Sequence, residues 1–80
     1  MKNTIVIVYD RSMGERNRWE NGPVPREGEY VRDRHGEKLF YPVVSVSYET
    51  EDGTSSLFVS VIINEGKGRD RKPIGPATSR

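Results

Sequence analysis

Leu39 to Asn64, LFYPVVSVSYETEDGTSSLFVSVIIN, reads as two β-strands joined at Asp52-Gly53, and the rest of the chain has to pair with this hairpin or pack on it. Asp-Gly between two alternating apolar runs is the strongest short-range hairpin signal, because a type I′ turn needs positive φ at both central residues. With these two residues at the tip, Tyr48 pairs with Leu57, Val46 with Val59 and Val44 with Val61, all on one face. The opposite face pairs Ser47 with Phe58, Ser45 with Ser60 and Val43 with Ile62. A slip of one residue would set the valines against serines, which the hydrophobic pattern resists. Pro42 has no N–H to give a ladder, so it belongs at a strand start, a bulge or an edge.

Working outward, Glu29 to Arg34 (EYVRDR) predicts the preceding strand, turning at His35-Gly36. A two-residue turn there pairs Arg34 with Glu37, Asp33 with Lys38, Val31 with Phe40 and Tyr30 with Tyr41. Parity then points Phe40 the same way as Val44, Val46 and Tyr48, so two independent registers agree on one core face. Thr4 to Tyr9 (TIVIVY) is a β-branched run, apolar on both faces, and predicts a central or doubly covered strand. Asp10 to Glu29 shows no apolar periodicity and predicts one long first loop, with a turn at Asn21-Gly22 and an extended Pro23-Val24-Pro25. From residue 65 the chain is EGKGRDRKPIGPATSR, with Ile74 its only large apolar residue, and predicts a flexible basic tail over 65–80 behind a barrel domain over 1–64. There is no internal repeat and no segment with helical periodicity.

The fold class that follows is all-β: a small antiparallel sheet of four strands, curled into a barrel, with a long first loop and a mobile C-terminal tail. Hydrophobic residues make up 32% of the chain and charged residues 31%, so the core is thin for one domain. The absence of cysteine excludes disulfides and thiolate metal sites and suits a reducing cytoplasm. No apolar run reaches the roughly 18 residues of a membrane-spanning helix. Thirteen basic and twelve acidic side chains imply no particular partner, but five basic and two acidic ones fall in residues 65–80.

A first strand ending in VYD, a long polar loop and GEYV opening the next strand resemble the layout of Src-homology-3-like barrels. The run VPREGEYV followed by YPVVSVSY is similar to small barrel proteins of bacteria and their phages. The resemblance spans roughly residues 4 to 64 and implies the barrel layout. The aromatic pair and Pro-Ser-Asn-Tyr element of a proline-peptide groove are absent, so it implies no functional residue.

Catalysis finds little to build on. His35 is the only histidine and stands at a turn tip, where a solvated residue is the simpler reading than a positioned base. Glu49, Glu51 and Asp52 cluster at the other tip, as solubilising carboxylates do. Gly66-Lys67-Gly68 lacks the strand-to-helix context of a phosphate loop. No enzymatic activity, cofactor or metal is expected.

The expected second sheet face, with Tyr30, Arg32, Leu39, Tyr41, Val43, Phe58 and Ile62, is too apolar for plain solvent. Either the first strand, Trp19 or barrel curvature covers it, or it is a contact patch for another protein. Trp19, in the long loop between Arg16 and Arg18 on one side and Glu20 on the other, either plugs the barrel or anchors a partner. The partner-binding candidates are therefore Trp19, Arg16, Arg18, Tyr30, Arg32, Tyr41 and Phe58. Aromatics beside arginines, with Arg11, Arg16, Arg18 and Arg26 around Trp19, could instead stack on single-stranded RNA or DNA with help from the basic tail. Five carboxylates between Asp10 and Glu29 oppose that alternative, so a protein partner is expected first and a membrane not at all.

Overall fold

The computed structural model describes residues 3–34, 36–50, 53 and 55–73. Five strands form one sheet: β1 (Asn3–Tyr9), β2 (Glu15–Glu20), β3 (Tyr30–Arg32), β4 (Phe40–Thr50) and β5 (Ser56–Ile63), in the spatial order β2-β1-β5-β4-β3. The sheet curls into a half-barrel, as the all-β expectation requires, but it is mixed rather than antiparallel. β1 pairs β5 in parallel from Asn3↔Ser56 to Tyr9↔Ile62, and every other pairing is antiparallel. β1 therefore has a strand on each side, and its Val6 and Val8 on one face and Ile7 on the other are all buried.

The expected first loop is not a loop throughout, because β2 lies inside it. Two devices make a strand of ERNRWE. The Asp10 carboxylate accepts from the Ser12 and Gly14 N–H groups, both at 2.9 Å, and folds Asp10–Gly14 into a tight connection with Met13 in the left-handed region. The β1 backbone then offers a ladder from Ile5↔Glu20 to Tyr9↔Glu15, interrupted by a bulge beside Val8. At the far end Asn21, also left-handed, exchanges bonds with Thr4 and stops the strand.

Both hairpins keep their strands but change register. In the β4–β5 pair Val46 faces Val61 and Tyr48 faces Val59, two residues away from the alignment expected from a tip at Asp52-Gly53. A shift of two preserves the faces. The described pairing runs to Thr50↔Leu57. Gly53 has φ +79°, in the region that favours glycine, while Asp52 lies outside the described residues. The β3–β4 pair shifts by one, to Val31↔Tyr41, and β3 covers only three of the six residues expected. The expected Asp33–Lys38 pair does not form: Asp33 pairs with Arg16, and Lys38 with Asp70.

A bulge between Val43 and Ser45 completes the correction of the core face. Upstream of it Tyr41 and Val43 turn inward; downstream, Val46 does. The core is Val6, Val8, Val31, Tyr41, Val43, Val59, Val61 and Ile63, with Trp19, Val24, Val46 and Leu57 packed against it. Val44 and Tyr48, expected inside, are exposed at 43% and 61%, and Tyr41 and Val43, expected on the second face, are buried. Pro42 sits just before this bulge, opposite Tyr30 of the short strand β3.

Residues 65–73 also depart from the expected free tail. Glu65–Lys67 forms a 3-10 turn capped by the Asn64 side chain, and Arg11 binds Glu65 at 2.9 Å. Arg69 then exchanges backbone bonds with Phe40 at 2.7 and 3.0 Å. Ile74 and the residues after it lie outside the described residues. No described helix is long and apolar enough to cross a membrane.

Candidate functional site

The curl brings β2 and β3, the two outer strands of the sheet, towards each other. The Asn17 amide donates to the Arg32 carbonyl at 3.2 Å, and Arg16 Nε donates to the Asp33 carboxylate at 2.7 Å. Asp33 is 1% exposed, and Arg16 also reaches Asp10 at 3.5 Å and lies 5.5 Å from the centre of the Tyr41 ring. Burial works to lower the Arg16 pKa, but Asp33 and Asp10 outweigh it and the value is raised. Gly36 is required at this corner, because a Cβ there would meet the Tyr41 hydroxyl and Arg16 at well under 3 Å. Removing one partner of a buried pair is costly because the other charge stays behind, so this corner locks β2 to β3.

Beside the lock, between the two strands, lies a groove of about 830 Å³. Trp19 and Asn17 from β2 form one wall, and Tyr30, Val31 and Arg32 from β3 the other. Pro23, Val24 and Pro25 form the floor between them, with Lys72 and Pro73 at one end. Trp19 faces Val6 across the β1–β2 ladder, packs against the core, and donates its Nε1–H to the Pro23 carbonyl at 3.0 Å. It is half-buried, so it is both core and groove wall. On the far side of Tyr30 a second hollow, of about 560 Å³, continues past Pro42 and Val43 to Lys67 and Arg69.

Charge is unevenly distributed around these hollows. Arg26, Arg32, Lys38, Lys67, Arg69, Arg71 and Lys72 line them or the adjoining surface, against Glu27, Glu29 and Asp70. Seven cations and three carboxylates leave a surplus of four positive charges. The whole chain carries +1, so the remainder carries −3. Two of the acids are already engaged within this surface: Glu29 accepts from the Arg26 backbone N–H at 2.7 Å, and Asp70 pairs with Lys38 at 3.4 Å.

Of the seven residues singled out from the sequence, Trp19, Tyr30 and Arg32 meet in the groove. Arg16 and Tyr41 belong to the buried lock behind it. Arg18 is on the convex face, opposite Ile7 and paired with Glu15 at 2.8 Å, which holds the Glu15 carboxyl below its usual pKa. Phe58 is on the convex face as well, half-buried opposite Ile5. Pro23, Val24, Pro25 and Lys72 were missed, and Arg26 was expected only in the nucleic-acid alternative. The Pro-Val-Pro run signals extended backbone but not what it lines, and Lys72 is far from Arg26 in sequence. His35, Glu51 and Asp52 lie outside the described residues, and Glu49 is exposed opposite Phe58. Among the described residues no three His, Cys, Asp or Glu side chains group as metal ligands. In comparisons with known proteins, no family model, curated sequence or solved structure matches the chain.

Proposed function

We propose that the protein is a non-enzymatic interaction module that holds an extended, acidic segment of another protein in the groove between β2 and β3. The observation that carries this reading is the composition of the groove. Its walls and floor are Trp19, Tyr30, Val31, Pro23, Val24 and Pro25, and its rim is net basic. Apolar anchors of a partner chain fit the former, and carboxylates between those anchors fit Arg26, Arg32 and Lys72. Tryptophan, tyrosine and arginine are the residues in which interface binding energy concentrates. Two of the arginines first expected to take part serve the fold or the convex face instead, and Arg26 and Lys72 take their place. An accessory or phage-encoded factor acting in a bacterial cytoplasm is consistent with such a module.

Single-stranded nucleic acid is the second reading, and the surplus of four positive charges favours it. Against it, base stacking needs successive open rings, whereas Trp19 is half-buried and tied to Pro23. Trp19 is the only tryptophan in the chain, so its emission reports on the groove directly. Titration with acidic, apolar peptides should shift that emission, and Arg32→Glu should abolish the shift. Capture of a protein from bacterial lysate should survive nuclease treatment and fail with Tyr30→Ala. If oligothymidylate gives the shift instead, with an affinity falling steeply with salt through counterion release, the nucleic-acid reading replaces the first.

A further inference from the structure

The two sides of the sheet end differently. β2 presents four charged residues in six and is tied to β3 at Asn17 and Arg16. β4 is eleven residues long, yet β3 pairs with only Phe40–Pro42, and Gly28 and Glu29 extend that pairing through Val43. From Val44 to Thr50, β4 has β5 on one side and no described strand on the other. A strand edge of this kind is a row of backbone donors and acceptors that forms a ready template for another strand. Charge, proline or a bulge usually guards such edges. This one reads VSVSYET, with no lysine, arginine or proline and one carboxylate, Glu49. Two of the four exposed large hydrophobic residues in the described structure, Val44 and Tyr48, are on it.

We propose that a second copy of this chain fills the edge, joining two sheets through antiparallel β4 strands related by a two-fold axis at Ser47. This goes beyond the groove reading and does not depend on it. The self-complementarity of the strand selects the occupant and the register. Val43 shows the geometry: its side chain faces the core while its N–H and C=O turn to the β3 side, towards Glu29 and Gly28. Beyond the bulge Val46, Tyr48 and Thr50 lie on the same side of the sheet as Val61, Val59 and Leu57 opposite them, although only Val46 packs on the core, so these residues turn their backbone groups to the open edge. An axis at Ser47 sets Val46 against Tyr48 of the other copy twice and pairs the five residues from Ser45 to Glu49, with the bulge at Val44 marking the end of the ladder. It sets Ser45 against Glu49, so no carboxylate opposes another. An axis at Glu49 would bring two carboxylates face to face and shorten the ladder. The contact is isologous and closed, so it ends at a dimer.

The chain has no cysteine, so the register can be read with single thiols. Ser47 is exposed and falls on the axis in a non-hydrogen-bonded pair, where Cα atoms are about 4.5 Å apart, within the range a disulfide spans. Under mild oxidation with glutathione disulfide, S47C should convert to a covalent dimer. S45C, opposite Glu49, should stay monomeric on the same gel. Wild type should sediment as a dimer in the micromolar range. S47K sets two ammonium groups against each other and should weaken the dimer by about tenfold or more, with unchanged far-ultraviolet circular dichroism. A wild-type chain that remains a monomer at millimolar concentration would overturn the proposal. So would S45C cross-linking as fast as S47C, or a monomer that takes a foreign extended peptide along this edge.

Discussion

β1 and β2 lie side by side and hydrogen-bond along nearly their whole lengths, yet they are held for opposite reasons. β1 has one exposed residue in seven, while β2 has four in six. Burial of Val6, Ile7 and Val8 against the neighbouring strands holds the first. The second is held by its neighbour's backbone, by the loop folded around Asp10 and by the Arg16–Asp33 pair. A strand can thus be specified from outside its own sequence, provided that one end is anchored and one charge is locked.

The sharpest way to break this contrast is Arg16→Ala. If the lock holds β2, the substitution should cost about 3–5 kcal/mol in urea unfolding, because the buried Asp33 carboxylate loses its 2.7 Å bond to the Arg16 guanidinium. That would be a large share of the roughly 4–12 kcal/mol expected for a domain of this size. A loss below about 1 kcal/mol would mean that the β1 ladder alone holds the strand. On the apolar side, Ile63→Ala should cost about 2–4 kcal/mol by removing a fully buried side chain. Trp19 sharpens the comparison because it is the single residue of β2 that borrows from β1's mode of support. Trp19→Ala should cost about 2 kcal/mol, less than a fully buried ring, and should also abolish peptide binding. Loss of binding without loss of stability would make it a pure anchor. At the β4–β5 tip, Gly53→Val should cost about 1–2 kcal/mol for a β-branched residue at positive φ, and an unchanged melting temperature would show that the tip can rearrange.

The smallest expected effect is on pH dependence. Asp10 is held below its ordinary value of 3.8, first by the Gly14 N–H and then by Ser12 and Arg16, against partial burial. Glu15 and Glu65 are held below 4.5, Glu15 by Arg18 and Glu65 by its own N–H and Arg11. A carboxylate with a depressed folded pKa contributes stability that is complete above its unfolded value and lost as pH falls through the folded one. Melting temperature should therefore hold level above about pH 4.5 as far as these groups are concerned, and decline below it. Asp10→Asn should soften that decline, and a flat profile down to pH 3 would remove these carboxylates from any structural role.

What could be read from the sequence follows the same division. Strands defined by apolar alternation were legible, including the central place of β1, because burial on both faces leaves a hydropathy signature. β2 was not, since ERNRWE has no apolar period and its partners, Thr4, Asp33 and the β1 backbone, are distant or not side chains at all. Alternation set the relative faces of β4 and β5 correctly even though their alignment moved by two. It could not place the bulge at Val44, which has no hydropathy signature of its own and which exchanged Val44 for Val43 in the core. Trp19, Tyr30 and Arg32 were marked individually as contact residues. Their meeting with Lys72 depends on the curl and on the Phe40–Arg69 bridge, which composition read as a solvated tail.

The parallel pairing of β1 with β5 bears on how the chain reaches this state. Each residue of β1 meets a partner 53 positions later, as Asn3 meets Ser56. During synthesis this apolar strand emerges before the others and completes its pairing last. The β1–β2 and β4–β5 hairpins can close locally, but the seam that joins them must wait for Ser56–Ile63, and such non-local closure is slow. In that interval TIVIVY has only a charged strand beside it, which cannot cover both of its faces. Ribosome-bound chains stopped before residue 56 should therefore be the species that chaperones hold and that aggregation consumes.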